Sequence, residues 1–366
     1  MRVGALSLVV LLAGLAAGPA AARPPLEFKS ENVEFVANVP DVEGAGASIV
    51  GDKMYMATRD GLKIFDISKP TKPRLIGGED YPWPYWPGVF TCEDPDSNGS
   101  TLIMCNYVYD VSDPQKPREV GSWNSYAHTS TCVFDCRYAY DSEGAIVDLR
   151  NPQTPEVVGQ WNTGTPAAWA HDLTEVSPGI VITASDPVMV LDARNRPTQP
   201  RVVAVGDVEV DEFVHGVMWP RGGRDRFLLA GGEDLGPRCD VPGDRRQATF
   251  VTYDTHGWRK TAKIRPIDAW RPPHGVFVDG NAPANHFCGH WFDDHPNFDN
   301  GGLVTVAWYD HGTRFLRISG KGEIKEEGYY MVPAGEAAAS YWITDRIVYV
   351  ADYLRGLDIL RYTGKL

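Results

Sequence analysis

The sequence predicts an all-β protein, a seven-bladed β-propeller built from four-stranded blades. Three observations predict it: a strand motif that recurs seven times, a composition rich in turn-forming and aromatic residues, and a spare strand ahead of the first repeat. The 366 residues include 37 Gly, 28 Pro, 11 Trp, 16 Tyr and 13 Phe. Gly and Pro form turns and aromatic side chains favour sheets, so this composition favours short strands joined by tight turns.

The recurring motif is an apolar strand that ends in Asp and runs into a Pro-x-x-Pro corner. It is clearest at residues 61–73 and returns at 108–117, 145–155 and 188–200. Weaker copies, which keep only the strand, occupy residues 249–254, 312–319 and 356–361. Aligned on Asp66, the copies fall at positions 66, 110, 148, 192, 254, 317 and 361. A period of this length with strand character is typical of propeller blades.

Each repeat contains four short strand-like runs. In the first, residues 47–50 and 54–57 flank a turn, and residues 74–77 follow the proline corner. The last repeat stops before its fourth strand, whereas residues 33–39 form a strand-like run before the first repeat. We expect this N-terminal strand to complete the last blade, which would remove an open sheet edge.

The N-terminus reads as a signal peptide of residues 1–22. Arg2 is followed by a mostly apolar run over residues 4–17, and Ala20-Ala21-Ala22 is a small-residue cleavage site. Cleavage there would leave one propeller domain, residues 23–366, secreted or held in the periplasm or at the cell surface. An uncleaved anchor is the alternative. No later stretch approaches the ~20 apolar residues of a transmembrane helix, so we expect no membrane span in the mature chain.

The charge balance excludes one class of partner. The chain has 35 basic and 48 acidic residues, a formal net charge of −13. It therefore lacks the basic excess that binding to nucleic acid phosphates requires, and we expect no nucleic acid partner.

Export makes the six cysteines readable as disulfides, since bridges persist in an oxidising compartment. Cys92 and Cys105 flank a turn at residues 94–99, and Cys132 and Cys136 bracket a tighter one. Those two pairs would leave Cys239 and Cys288 for a long-range bridge. The alternative is a reactive or metal-ligating thiol at Cys132, Cys136 or Cys288.

These repeats resemble the LVIVD-repeat proteins, a group named after a strand that ends in Asp and continues into Ser-x-Pro-x-x-Pro. The resemblance covers nearly the whole mature chain and is strongest in the first four repeats, from residues 61–73 to 188–200. It implies a bacterial propeller that is exported or at the cell surface. It implies no single activity, because the propeller is a scaffold for many functions.

Four histidines occupy equivalent positions, at the start of the innermost strand of four blades. They are His128, His171, His215 and His290, and an aromatic residue lies two places before three of them, at Tyr126, Trp169 and Phe213. Innermost strands surround the central channel, so these side chains are predicted to converge on one funnel. Neutral imidazoles from separate strands are a natural site for copper, zinc or iron. The alternative is that each ring only plugs the channel and hydrogen-bonds to the next blade.

Further residues are candidates for the same funnel. His311 and Asp310 lie in a loop predicted on that face, and Asp172 follows His171 directly. His274 competes with His290 as the start of the sixth innermost strand; the spacing to the following repeat favours His290. An aromatic strip at residues 81–87 either stacks against a ligand or plugs the channel.

The sequence therefore leaves three functions open on one scaffold. The first is an exported, monomeric propeller whose funnel face binds a small molecule, a metal or a protein. The second is a metal-dependent oxidoreductase, a copper oxidase above all, since the architecture is distantly similar to selenium-binding proteins and bacterial methanethiol oxidases. The third is a carbohydrate-active hydrolase or lyase that uses acidic loops and the aromatic strip. The fold alone does not discriminate among them.

Overall fold

The structure, a computed structural model, describes residues 28–81, 92–206, 214–233, 249–272, 289–333 and 335–366. Within these ranges the chain is almost entirely β-sheet, with only two one-turn helices, α1 (Pro220–Gly223) and α2 (Trp258–Thr261). The all-β prediction is confirmed. The predicted signal peptide lies outside the described residues. Neither helix in those ranges has the length and apolar character needed to cross a membrane.

The strands are numbered β1 to β29 along the chain. Two precede the first repeat: β1 (Phe28–Lys29) and β2 (Val33–Val39). The next twelve form three four-stranded antiparallel sheets in chain order: β3 (Gly44–Val50), β4 (Lys53–Thr58), β5 (Gly61–Asp66), β6 (Arg74–Asp80); β7 (Asp96–Ser97), β8 (Thr101–Met104), β9 (Tyr107–Asp110), β10 (Arg118–Ser122); β11 (Ser130–Val133), β12 (Tyr138–Asp141), β13 (Ala145–Asp148), β14 (Glu156–Gln160).

Eight further strands form two four-stranded antiparallel groups: β15 (Asp172–Ser177), β16 (Ile180–Ala184), β17 (Met189–Asp192), β18 (Arg201–Gly206); β19 (Val214–Met218), β20 (Phe227–Gly232), β21 (Phe250–Asp254), β22 (Lys263–Trp270). The last seven are β23 (Phe292–Asp294), β24 (Gly302–Ala307), β25 (Thr313–Ile318), β26 (Ile324–Met331); β27 (Ala337–Trp342), β28 (Ile347–Asp352), β29 (Gly356–Tyr362).

Three pairings depart from the simple succession of four-stranded groups. The outer strands β18 and β22 pair in parallel, so two groups share one eight-stranded sheet. Strand β1 adds to the edge of β26. Strand β2 pairs antiparallel with β29 from Val33 opposite Tyr362 to Val39 opposite Leu357, so that the N-terminal strand is the fourth strand of the last group.

The repeated Asp has a local structural role. The side chain of Asp66 accepts a hydrogen bond from the backbone N–H of Ser68, two residues on, at 3.0 Å. Asp110, Asp148 and Asp192 accept the same bond from the second residue after them, at 3.0 to 3.1 Å. Asp forms such turns readily because its short carboxylate reaches its own downstream backbone. In these four groups the motif Asp therefore ends the third strand by closing the turn that follows it.

The core consists of apolar clusters between successive groups of strands. One cluster packs Tyr55 and Ile64 of the first group against Leu102 and Tyr109 of the second, and equivalent clusters follow along the chain. A further cluster joins the last group to the first, with Tyr349 against Phe65, and the Tyr349 hydroxyl donates to the carbonyl of Pro70 at 2.7 Å. The innermost strands β3, β7, β11, β15, β19, β23 and β27 position the candidate site.

Two of the three predicted cysteine pairs are bonded in the structure. The S–S distances are 2.03 Å between Cys92 and Cys105 and 2.02 Å between Cys132 and Cys136. The thiol alternative for Cys132 and Cys136 is therefore not what the structure shows. The predicted bridge between residues 239 and 288 lies outside the described residues.

Candidate metal centre

The four repeat-equivalent histidines converge on one carboxylate. The Oε2 atom of Glu93 lies 3.3 Å from Nε2 of His128, 3.9 Å from that of His171, 3.4 Å from that of His215 and 3.3 Å from that of His290. The rings contact one another as well, with centroids 3.9 Å apart for His171 and His215 and for His215 and His290. Five side chains from five successive groups of strands thus share one site.

The side chains converge because each of these residues lies at or just before the start of an innermost strand. His171 immediately precedes β15, His215 is the second residue of β19, and His128 and His290 each lie two residues before their innermost strands, β11 and β23. Glu93 lies three residues before β7, and the neighbouring Cys92 is bonded to Cys105. The disulfide therefore fixes the backbone beside Glu93 against the hairpin of its own sheet.

Backbone carbonyls orient two of the rings. The Nδ1 atom of His171 lies 3.0 Å from the carbonyl oxygen of His215, and Nδ1 of His290 lies 2.5 Å from that of Ala338. A carbonyl oxygen only accepts hydrogen bonds, so each Nδ1 carries the proton. In the neutral rings the lone pair is then on Nε2, which is the atom that faces Glu93.

Electrostatics keep these groups in the protonation states that ligate metals. Burial, with the nearby charge of His290, lowers the pKa of His215 to about 3, and burial also lowers the pKa of His171 well below its usual range. Burial opposes ionisation of Glu93, but attraction to His128 and His290 outweighs it and holds the pKa of this carboxyl well below the ordinary value. Neutral imidazole and carboxylate are the forms that bind transition metals.

Glu93 points one oxygen into the site. Its Oε1 accepts a hydrogen bond from the Tyr353 hydroxyl at 2.9 Å. Its Oε2 is buried and, among the described residues, meets no donor in hydrogen-bonding geometry. A buried carboxylate oxygen is stabilised by a positive charge beside it, from protonated histidine or from a bound cation, because unpaired buried charge is costly.

A second carboxylate borders the same cluster. Glu233 Oε2 lies 3.8 Å from Nε2 of His215, and Glu233 Oε1 accepts from the Tyr309 hydroxyl at 3.0 Å. The rings of Tyr309 and Tyr353 stack with centroids 5.7 Å apart. Burial raises the pKa of Glu233 to about 7. Each glutamate thus has one oxygen held by a tyrosine and the other directed at histidine.

The indole ring of Trp291 packs against the histidine rings. Its ring centroid lies 4.5 Å from that of His215 and 5.6 Å from that of His290, and the side chain is buried. A Cβ at Gly216 would come within 3.2 Å of this indole, and a Cβ at Gly46 would lie 2.3 Å from the Glu93 carbonyl oxygen and 3.4 Å from the indole nitrogen. Two glycines on opposite innermost strands therefore let the indole and Glu93 approach so closely.

The other predicted residues have different surroundings. His311 pairs with Asp310, with Nδ1 and Oδ1 2.6 Å apart, and Asp172 is buried beside Thr174. The described residues form three groups of donors within 4.8 Å of one another, all drawn from Glu93, Glu233 and the four histidines, and none contains His311, Asp310 or Asp172. Residue 274 lies outside the described residues; β23 starts at Phe292, so His290 lies two residues before the sixth innermost strand.

Sequence reasoning offers Glu233 as one of several loop carboxylates that could orient an imidazole, but it missed Glu93 and the two tyrosines. Sequence reasoning found no histidine equivalent in the second blade, where the structure puts Glu93 in that role, three residues before β7. Counting back from the short hairpin that Cys92 and Cys105 bracket would have located it. Tyr309 and Tyr353 lie between the second and third strands of their groups, each eight residues before the aligned positions 317 and 361, so their equivalence in the repeat is the signal that could have found them.

Comparison with known proteins identifies the fold. Residues 46–79 match the LVIVD repeat. The structure is similar to the WD40 β-propeller domain of Doa1, with a TM-score of 0.56 and 10% identity over 90% of this chain and 96% of that one. It is also similar to U3-55K, with a TM-score of 0.58 and 10% identity over 90% of this chain and 98% of that one. A search of curated proteins found no match to the sequence.

The fold defines an all-β propeller, since similarity at 10% identity reflects architecture alone. The matched repeat specifies it further. The chain has a β-propeller fold, and one segment of it, residues 46–79, matches the LVIVD repeat.

Proposed function

We propose that this protein is an exported, monomeric, seven-bladed β-propeller that binds one transition-metal ion at its axis through His128, His171, His215, His290 and Glu93. The single observation that carries the proposal is the convergence of four Nε2 atoms within 3.3 to 3.9 Å of one Glu93 oxygen. The metal would lie among these atoms on the funnel face, where a small molecule or a protein could reach it.

Packing alone does not account for the arrangement. Rings that only plug a channel need hydrogen bonds to the neighbouring blade, and His171 and His290 make these with Nδ1. The Nε2 atoms of His171 and His215, whose pKa values burial lowers, still face the Oε2 atom of Glu93 at 3.9 and 3.4 Å. Two electron-rich groups at this separation repel each other in a buried site, and a bound cation converts that repulsion into attraction.

The donor set favours copper among the candidate metals. Imidazole nitrogen suits copper, zinc and iron, and the intrinsic affinity of such a site is highest for Cu(II). The second glutamate and the two tyrosines hold the donors in place, as outer hydrogen-bonding partners do in metal sites. Zinc and iron are the other metals to test.

A closed ring of seven blades is supported by the pairing of β2 with β29 and by the apolar cluster between the last and first groups of strands. Seven groups of four strands supply the donors unequally. Five groups contribute Glu93 or a histidine, whereas the first and last contribute Ala45 and Ala338, which are fully buried beside Tyr309 and Tyr353.

A copper-dependent oxidase is the second candidate function. Three of the histidine side chains are almost fully buried, but 33% of the His128 side chain is exposed. A metal held there would have one side open to solvent, and an open coordination position distinguishes catalytic from structural metal sites.

Metal titration of the mature chain tests the proposal. Wild-type protein purified without a histidine tag is expected to bind about one Cu(II) with high affinity, and Glu93→Gln and His215→Ala to bind at least ~100-fold more weakly, beyond the loss caused by removing an outer partner. His256→Ala removes an exposed histidine far from the site and serves as the matched control. Equal affinities in all four proteins, or no binding to folded wild type, would contradict the proposal.

A further inference from the structure

Glu93 is held by less strand pairing than the histidines are. The innermost strand that follows it, β7, has two residues, whereas the innermost strands that follow or contain the four histidines have three to six. Both residues of β7 pair with β8. Glu93 lies three residues before this short strand, so the backbone that carries its carboxylate needs another fixed point.

The disulfide between Cys92 and Cys105 supplies that fixed point. Cys92 directly precedes Glu93, and its sulfur is bonded to Cys105 in the turn between β8 and β9. All three residues are buried. The two strands of this hairpin pair over four residues each. The bond therefore ties the segment that carries Glu93 to a regular hairpin of the same group of strands.

The same cysteine contacts the segment that carries His128. The Sγ atom of Cys105 lies 3.6 Å from the carbonyl oxygen of His128. The carbonyl of Cys105 accepts a hydrogen bond from the Ser130 hydroxyl, two residues after His128, at 2.7 Å. Between them, the Thr129 hydroxyl donates to the carbonyl of His171. The disulfide therefore adjoins the backbone of two donors of the centre, and the segment that it contacts reaches a third.

The conformation of Cys105 is unfavourable for this residue. Cys105 and Asn106 form the two-residue turn between β8 and β9, and φ of Cys105 is 53°. That left-handed conformation favours Gly and Asn over Cys. Cys136 has a similar φ of 55°, so backbone strain marks both disulfides of the described chain. The bond that adjoins a donor on either side is the one between Cys92 and Cys105.

We propose that Cys92 and Cys105 are positioning residues of the metal centre, and that their disulfide and the bound metal stabilise each other. The inference deepens the proposed metal centre and rests on it. The closed bond holds Glu93 and His128 where both reach the ion. By linkage, the factor by which the closed bond raises metal affinity is also the factor by which bound metal favours the closed bond over the open one.

Reduction of this bond would therefore weaken metal binding. Glutathione, a cellular thiol, is a suitable reductant. Two glutathione molecules convert the bond between Cys92 and Cys105 into two cysteine thiols and leave as one glutathione disulfide, so that two electrons and two protons pass to the protein sulfurs. The centre would then hold its metal in an oxidising environment and release it more readily in a reducing one.

The disulfide between Cys132 and Cys136 is the matched control. Its sulfur atoms lie 3.8 Å from the carbonyl oxygen of Asp96 and 3.9 Å from that of Thr101. Neither of these residues is a donor of the centre. Removal of this bond should therefore affect stability without affecting metal affinity.

The first test separates positioning from stability. Cu(II) affinity is measured for the oxidised mature wild type and for two double variants, Cys92→Ala with Cys105→Ala and Cys132→Ala with Cys136→Ala. We expect the first variant to bind Cu(II) roughly 10- to 100-fold more weakly, as loss of an outer partner causes, and the second to stay within about twofold of wild type. Urea midpoints are measured in parallel, because a merely structural disulfide would lower the midpoint and leave the affinity unchanged.

The second test uses the wild type alone, so it does not depend on the folding of a variant. The mature protein is equilibrated in glutathione redox buffer with and without free Zn(II), which has no redox chemistry and is held constant by a chelator. Alkylation and peptide mass spectrometry give the oxidised fraction of each bond. Saturating zinc should shift the equilibrium between Cys92 and Cys105 towards the disulfide by about 10-fold or more, and that between Cys132 and Cys136 by less than about twofold.

Two results would overturn the inference and leave the metal centre intact. One is equal Cu(II) affinity in the wild type and the variant that lacks Cys92 and Cys105. The other is bound zinc that leaves the equilibrium of this bond unchanged or favours its thiols. A folded wild type that binds neither Cu(II) nor Zn(II) would overturn the metal centre itself, and the inference with it.

Discussion

Two positions of the repeat carry the same residue type in at least four blades, and the structure gives them opposite roles. At the end of the third strand, Asp66 and its equivalents close their own turns, two residues away. At the start of the innermost strand, the histidines reach out of their sheets and meet residues of other sheets, with Nε2 atoms on Glu93. The aspartates act locally, and the histidines act together.

The difference shows how a repeated residue should be interpreted. A side chain whose hydrogen bonds lie within its own blade is repeated because each blade needs it for folding. A side chain whose neighbours are its own repeat equivalents is brought to one point by the symmetry of the ring. Substitutions should therefore act separately at the first position and collectively at the second.

The largest effect is expected at the histidines. His171→Ala removes one donor and should lower Cu(II) affinity by more than the roughly 10- to 100-fold that loss of an outer partner causes. His171→Ala with His290→Ala should abolish binding, because the remaining donors no longer surround the ion. Competition with a coloured chelator measures both, and circular dichroism checks the fold. Affinity that falls only slightly with each removal would show that the rings do not act together.

Substitution of Gly46, whose backbone lies against Glu93, should have the second largest effect. In Gly46→Ala the new Cβ would lie 2.3 Å from the Glu93 carbonyl oxygen, which forces the backbone of Glu93 to move. We expect a loss of about 3 kcal/mol in the free energy of unfolding, as overpacking causes in tight sites, together with weaker metal binding. Gly206→Ala is the control, since its Cβ would meet only ordinary contacts at 3.5 Å and beyond. Equal urea midpoints for the two variants would contradict this account.

A repeat aspartate near the surface, Asp110, and an aspartate of the innermost strand β23, Asp293, should affect stability in opposite ways as pH changes. Hydrogen bonds from Ser112 and Arg118 lower the pKa of Asp110 to about 2, whereas burial, with the charge of Asp294, raises the pKa of Asp293 to about 8. Between pH 4 and 8 the native state keeps a proton on Asp293 that the unfolded chain has lost. Stability should therefore fall as pH rises through this window, by up to about 1.4 kcal/mol per pH unit for one proton.

Asp293→Asn should reduce this slope, because asparagine has no proton to lose in this pH range. The variant should still fold, since the amide oxygen can accept the Trp342 N–H bond now accepted by the carboxylate. Asp110→Asn is the matched comparison. Its native carboxylate contributes stability above pH 4 that is lost as pH falls towards 2, so its effect should be confined to the acid side. Urea unfolding at intervals from pH 3 to 9 measures both. An unchanged slope between pH 4 and 8 in Asp293→Asn would contradict the assignment.

The smallest effect is expected at a single repeated aspartate. Asp66→Ala removes the turn hydrogen bond to Ser68 and an exposed ion pair with Arg74. Exposed ion pairs contribute little, so we expect only a small decrease in the urea midpoint, without any change in metal affinity. Asp66→Asn keeps an acceptor for Ser68 and should lose less. A change in copper binding in either variant would mean that the two repeat positions are coupled.

The sequence predicted much of the fold and half of the site. The repeat gave the four-stranded groups, and the alignment of strand starts brought together the histidines. Glu93 was missed because it is not a histidine and the alignment searched for histidines, whereas Tyr309 and Tyr353 occupy equivalent repeat positions that were not singled out, and Glu233 follows no repeat. The position of the Trp291 indole close to both Gly46 and Gly216 was not predicted either. It depends on the distance between two strands far apart in the sequence, which no local sequence pattern encodes. The parallel pairing of β18 with β22 was likewise not foreseen.

Anomalous diffraction from a copper-loaded crystal of the mature chain tests the central claim most directly. The account predicts a single strong peak at the copper edge, roughly 2.0 to 2.2 Å from nitrogen and oxygen donors that include the Nε2 atoms of His128, His171, His215 and His290 and the carboxylate of Glu93. A folded protein with no peak among these atoms, or with its peak at an exposed residue such as His256, would contradict it.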